Sequence, residues 1–372
     1  MILYLLCCLM IIGLPIPLKK YKNGKKIYCF CVFICLLGIM GFRSFSLGQN
    51  DIYDNYVPIY NKIRYMSIAN VVQIYSKDVI FYLFTKIITL FFSNAHVWLF
   101  IISFFYLFTV CYLVYSESKL PYLSFLIFIS LNYYGFCFTI LRHCIALTFV
   151  IWSFIFYSRG KKIKGILSWV IACCFHMSAV SFFIFFIIEN KEISLKQLVY
   201  VFVCFILANK YIQDIVTLFF SFFTNERVSV YLTTNTVSSF NYTMLIMNLF
   251  LFLFALYNLY RSFSIGYTIK LKKLSNSNNI MMNFSNINPY YNSCIFNIIC
   301  LCFISGWALM FRVAMFFGIF SIIFVPNCIY LNKNTIDRVI ITPLLSMFLI
   351  YYFLFFASYA SYINPYLSFL SD

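Results

Sequence analysis

Charge is scarce in this chain: only 10% of its 372 residues are Asp, Glu, Lys or Arg, where a soluble domain carries about a quarter. Histidine occurs three times, as His96, His143 and His176, in no ligand pattern. None of the fifteen cysteines forms a CxxC pair, no P-loop opens a helix, and HExxH and GxSxG are missing. These absences exclude ATP hydrolysis, a zinc peptidase and a serine hydrolase, and leave neither a metal nor a cofactor to expect. No DxD-like cluster suggests a metal-dependent nucleotide-sugar enzyme, and no internal repeat or soluble domain is visible.

What fills the chain is apolar: 63% hydrophobic residues, 22% aromatic, and a mean hydropathy of +0.91. A soluble core of this length cannot hide so much apolar surface. The bilayer must be the solvent, and helices satisfy their own backbone there. A barrel would alternate polar and apolar residues, and these segments are apolar all round. The expected fold is an all-α polytopic membrane protein of about ten to twelve spans plus one re-entrant or interfacial helix, in a single transmembrane domain over 1–372. The net charge of +17 invites a nucleic-acid reading. The basic residues instead fall in short clusters beside apolar runs, as the positive-inside rule produces, so no nucleic-acid partner is expected. Most cysteines lie mid-span, where they behave as small hydrophobes.

The spans follow in order. Residues 1–18 form the first, without the basic leader and small-residue cleavage site of a signal peptide. Lys19 to Lys26 put the next loop in the cytoplasm, and 27–42 returns outward into a long polar loop, 43–79. The run 78–93 is interrupted by Thr85 and Lys86 and is too short for a span of roughly 20 residues. It reads as a re-entrant or interfacial amphipathic helix, so that 43–94 is an external loop with such a helix. Spans over 95–115, 120–138, 141–158 and 165–188 bring Arg159, Lys161, Lys162 and Lys164 inside. Residues 197–223 are two short spans or interfacial helices, and 224–241 is external. A span at 242–260 leads to a flexible cytoplasmic loop, 261–291, rich in Asn and Ser. Spans at 292–310, 313–331 and 339–359 complete the chain, with an external tail.

Polar residues at membrane depth mark function by default. Four places stand out, all expected near the outer face. Arg43 sits where the second span emerges, before Asp51 and Asp54, whose spacing puts both carboxylates on one helix face. Arg142 and His143 open a span. His176 lies inside the span 165–188, near mid-depth. Arg312 stands between two spans with almost no loop. Each has a bland alternative: a solvated loop, a snorkelling arginine, a core histidine. As a set, Arg43, Arg142 and Arg312 suit a pyrophosphate, because a guanidinium fork binds two oxygens at once.

The order of these elements resembles the EpsG family of polysaccharide-biosynthesis membrane proteins, relatives of the Wzy-type polymerases. The matching pieces are Arg43 with Gly48-Gln49-Asn50-Asp51, then Tyr56 and Tyr60; Asp78 before an apolar run; Leu141-Arg142-His143-Cys144-Ile145-Ala146; Phe175-His176-Met177-Ser178-Ala179; and Arg312. The family's Arg-Gln pair reads Arg142-His143 here, its Gly-Thr-Asp turn is one residue longer, and a late tyrosine is Phe316 or Phe317. The resemblance implies a multi-pass protein of the bacterial cytoplasmic membrane, similar to GT-C glycosyltransferases. It implies a polymerase that joins undecaprenyl-pyrophosphate-linked glycans into capsule, O-antigen or exopolysaccharide, with a flippase and a chain-length regulator of the same pathway as partners. A flippase for the same lipid-linked units, an O-antigen ligase and a membrane acyltransferase are the rivals. On this reading Asp51 is the preferred base, with His176 the other candidate or a positioning group. Arg142 and Arg312, with Arg43 third, stabilise the pyrophosphate, and His143, Asp54, Tyr56 and Tyr60 complete the substrate-binding set.

Overall fold

The computed structural model describes residues 1–48, 51–75, 78–189, 191, 239–270, 287–302, 308–332 and 334–371. The expectations for 197–223, for most of 224–241 and for 271–286 of the 261–291 loop lie outside these residues. Among the described residues the chain is helical with no strand, and six helices are long and apolar enough to cross a membrane. It is an all-α polytopic membrane protein.

The chain divides into two compact units, one of Met1–Val180 with Ile329–Asp372, the other of Ser181–Cys328. The first opens with α1 (Ile2–Gly13), stopped by the Pro15–Leu18 turn, and α2 (Gly24–Gly41). The stretch expected as a polar loop is mostly helical. A π turn at Ile52–Tyr56 runs into α3 (Val57–Tyr65), with Pro58 in its first turn, where its missing N–H costs nothing. α4 (Ile68–Ile74) follows, capped by Ser67, which accepts from the Asn70 N–H. Tyr56, Tyr60 and Ile63 are buried, so this segment has an apolar face that span-length averaging hides.

α5 (Val79–Phe91) has 13 residues, about 20 Å at 1.5 Å per residue, short of the hydrocarbon thickness. Its Lys86 is buried and donates to the carbonyls of Ile63 and Arg64, which caps α3. α6 (Ala95–Glu117) packs between α2 and α8 (Leu141–Ser158), and α8 pairs closely with α9 (Lys162–Phe175). A Cβ on Gly165 would lie 2.8 Å from Tyr157 Cβ, so glycine permits that approach.

Two of the expected spans are broken. The stretch 120–138 is α7 (Pro121–Ser130), then a left-handed Asn132 and a short turn Tyr133–Phe136. The stretch 165–188 is α9, an extended His176, a 3-10 turn Met177–Phe182 and α10 (Phe183–Ile188). The second unit also contains α11 (Ser239–Lys270), α12 (Asn288–Cys302), α13 (Ala308–Gly318) and most of α14 (Ser321–Leu331). α15 (Thr335–Tyr352) returns to the first unit and leads to the tail.

The ends of the first unit sort by charge. At one end Lys25 donates to the Ser118 carbonyl at 2.7 Å, and Arg159 pairs with Glu117. The lysine-rich turns 19–26 and 159–164 belong to this end. At the other end Met1, Phe42–Gly48, Phe45 stacked on His96, and the tail are tied together: the Ser44 N–H donates to Leu367 at 2.9 Å and Gly48 to Tyr362 at 3.1 Å. Gly48 has φ +81°, and a Cβ there would overlap Thr139, so this turn requires glycine.

Candidate functional site

The site grows from the break in the 165–188 stretch. A continuing helix would give the Met177 N–H to the carbonyl four residues back. Here it goes to Asp78 Oδ1 at 3.2 Å, and His176 takes extended angles of −156° and 119°. Asp78 has φ 55°, a left-handed conformation that aspartate tolerates better than most residues. Its other oxygen accepts from Arg142 Nη1 at 2.8 Å and lies 3.4 Å from His176 Nδ1. Arg142 also donates from Nε to the Tyr56 hydroxyl at 3.4 Å, its guanidinium 6.0 Å from that ring. The His143 ring stands edge-on to His176 at 5.8 Å. Phe84, Phe149 and Phe175 pack α5, α8 and α9 together, the Phe84 centroid 6.0 Å and the Phe149 centroid 5.4 Å from Phe175.

Burial raises the pKa of Asp78. The hydrogen bond and charge of His176, the Arg142 guanidinium and the Met177 N–H outweigh it and hold the carboxyl below its ordinary value. Exposure then decides what each group can meet. The Arg142 side chain is 26% exposed, while Asp78 and His176 keep 10% and 12%. This is a fixed carboxylate orienting a partly accessible cation and an imidazole. Among the described residues no three His, Cys, Asp or Glu side chains gather as a metal site would need.

The expected site residues separate on this geometry. Arg142, His143, His176 and Tyr56 come together, and His176 occupies a helix break instead of mid-helix depth. Tyr60 is buried and donates to the Phe92 carbonyl at 2.7 Å, so its hydroxyl fastens the π turn and α3 to the end of α5. Asp51 accepts from Asn55 at 2.8 Å, and Asp54 is exposed on the same turn. Arg43 is fully buried: it donates to Met40 O, to Ser103 Oγ at 3.1 Å and to Phe138 O at 3.1 Å. A guanidinium with no exposure cannot receive a pyrophosphate, and this placement takes Arg43 out of the substrate-binding set. Arg312 lies half-buried on α13 of the other unit, in a helix and not in the expected inter-span turn. Asp78 was not among the expected catalytic groups. Its signal was its position, a lone carboxylate directly before a short apolar run.

The model of the EpsG family matches residues 26–368. The chain belongs to the EpsG family. EpsG proteins are Wzy-like polysaccharide polymerases, and the match runs from α2 into the tail, so it takes in every residue of the Asp78 cluster. No curated protein and no solved structure shows significant similarity to the chain.

Proposed function

We propose that this EpsG-family protein polymerises undecaprenyl-pyrophosphate-linked repeat units at the Asp78–Arg142–His176 cluster, on the outer face of the bacterial cytoplasmic membrane. The observation that carries the reading is Arg142, a guanidinium anchored by a carboxylate yet still open to solvent. The positive-inside rule puts the lysine-rich end of the first unit in the cytoplasm, which leaves the cluster at the outer end.

The reaction joins an acceptor hydroxyl to the anomeric carbon of the donor sugar. The new carbon–oxygen bond forms as the bond to pyrophosphate breaks, and the lipid pyrophosphate leaves with the electron pair. Fixed cations act on the charge that develops there, and Arg142 supplies one. The hydroxyl proton goes to His176 Nε2, since Asp78 faces Nδ1 and fixes the ring as a carboxylate does for a general-base histidine. This moves the base from Asp51 to His176, because Asp51 is engaged by Asn55. His143 packs against the base, and Tyr56 supports Arg142. Asp54 and Tyr53, exposed on the adjacent turn, are sugar-facing candidates. Arg312 is a further phosphate-binding candidate on its chemistry alone. No step requires a metal.

The test uses purified protein in liposomes with purified lipid-linked repeat units. Polymer without any nucleotide sugar supports the reading. Movement of the lipid-linked unit across the bilayer without polymer identifies a flippase, and transfer to a lipid A core without polymer identifies a ligase. In cells, Arg142→Ala should leave the single lipid-linked unit to accumulate.

A further inference from the structure

The lysine-rich end of the first unit, away from the Asp78 cluster, contains a cavity of about 500 Å³ between the α1–α2 turn and the start of α7. Lys19, Lys22, Lys25 and Lys119 line it, and no carboxylate does. Lys25 is held in place by the Ser118 carbonyl at 2.7 Å. The nearby Glu117 is engaged by Arg159. Gly24 lets the chain close tightly around the cavity, because a Cβ there would overlap the Leu18 carbonyl.

Four lysines line one hollow, and the backbone adds to their positive field. Both α2 and α7 begin at the cavity, and neither has an acidic residue in its first turn or a side-chain cap at its N-terminus. Their positive dipole ends therefore face lysines, where carboxylates are the stabilising choice. The positive-inside rule accounts for lysines in a loop. It does not account for their convergence on a hollow that two helix starts already make positive. Besides Gly24, the rest of the lining is apolar or aromatic: Pro15, Leu18, Leu120 and Pro121, with Tyr21, Tyr28 and Tyr122. Ile16, next to the lining, is 74% exposed. A soluble anion gains nothing from that apolar rim, whereas a phospholipid sets its phosphate among the lysines and its glycerol and first methylenes against the prolines and leucines.

We infer that this cavity binds the phosphate head group of an anionic phospholipid of the leaflet on the lysine-rich side. Basic pockets between membrane helices on the cytoplasmic side take such head groups. The site is separate from the proposed catalytic cluster and stands whether or not that cluster polymerises glycans.

The full chain, purified in detergent, is mixed with micelles containing equal phosphatidylglycerol and phosphatidylcholine, and retained lipid is counted by native mass spectrometry. The wild type should retain phosphatidylglycerol about tenfold over phosphatidylcholine. Lys22→Gln with Lys119→Gln should lower that retention about tenfold, to near parity with phosphatidylcholine, from about fivefold per lysine at a charged membrane surface less screening. Lys22→Arg with Lys119→Arg should restore it, which also shows that the glutamine variant fails in charge and not in folding. Lys161→Gln with Lys162→Gln removes the same charge from the same end outside the cavity, and should lower retention less than about threefold. Three results overturn the inference: equal retention of the two lipids by the wild type, an equal fall in both glutamine variants, or displacement of the lipid by sn-glycerol 3-phosphate or inorganic phosphate at matched concentration. The last would mean a soluble phosphate compound uses the cavity.

Discussion

Arg43 and Arg142 stand at the same end of the first unit, each at the mouth of a long apolar helix, and the sequence presents them alike. Their surroundings are opposite. Arg43 turns inward to two backbone carbonyls and Ser103, with the Phe138 ring 5.1 Å from its guanidinium carbon. Arg142 faces a carboxylate that also meets the His176 imidazole, and it keeps a quarter of its side chain open. A buried cation on neutral acceptors ties segments together, here α2, α6 and the turn before α8. A neutralised, open cation is free to exchange part of its hydrogen bonding for a ligand. An arginine at a span end therefore says nothing of its role until its acceptors are known.

The largest effect should come from breaking Arg43. Arg43→Ala leaves the carbonyls of Met40 and Phe138 and the Ser103 hydroxyl short of a buried donor, at a cost of about 3–5 kcal/mol from three lost hydrogen bonds. The measurement is the melting temperature and the amount of folded protein in the membrane, with activity per folded molecule unchanged. Normal folding with lost activity would reverse the two arginines' roles.

Arg142→Ala should do the opposite. Polymerisation should fall about 100-fold, the scale for loss of one fixed group that stabilises developing charge, while the melting temperature moves little. Arg142→Lys should recover only part of the activity, because lysine keeps the charge and loses the two-pronged fork. Full recovery by lysine would reduce Arg142 to an interfacial anchor.

Asp78→Asn keeps the shape and an acceptor for the Met177 N–H but removes the charge that orients Arg142 and His176. The expected loss is about tenfold in rate, the difference between charge-assisted and neutral hydrogen bonds. The pH dependence follows from the lowered pKa of Asp78. A depressed carboxyl contributes stability above its unfolded value of about 4, and that contribution disappears as pH falls through the lower folded value. The melting-temperature advantage of wild type over Asp78→Asn should be full at pH 7 and shrink below about pH 4. An advantage independent of pH would show that charge is not what Asp78 contributes.

The spans were legible because a run of apolar residues has no other stable home, and α2, α6 and α8 fall close to where hydropathy puts them. The breaks at Asn132 and His176 were not. Hydropathy averages over a window and is blind to a single residue whose backbone bond is taken by a distant carboxylate, as Asp78 takes the Met177 N–H. The helices between Ile52 and Ile74 were hidden for a related reason, since their apolar face is half of a polar segment. The candidate site was half legible. Arg142, His143 and His176 were visible as polar residues in apolar runs, but the group that joins them belongs to a turn remote in sequence. Arg43 carried the same cue as Arg142 and lost its expected role only through packing.

Tyr56 should show the smallest effect, and it tests how far the cluster extends. Its ring is buried against Phe81 and Trp98, and its hydroxyl meets Arg142 Nε only at 3.4 Å. Burial raises the phenol's pKa, against which the Arg142 charge and hydrogen bond pull down, and the net shift is upward. The neutral phenol is thus favoured more than in a free tyrosine, which argues against Tyr56 as the base. Tyr56→Phe keeps the packing and the ring face toward the guanidinium and removes one long hydrogen bond, so the rate should fall no more than about threefold, below the 1 kcal/mol of an ordinary hydrogen bond. The pH–rate profile should not move. Tyr56→Ala, by contrast, opens a cavity of aromatic size and should cost about 3–5 kcal/mol of stability. A pH–rate profile that shifts in Tyr56→Phe would mean the phenol takes part in proton transfer, and the line between the open and the sealed arginine would then have to include the tyrosine beside it.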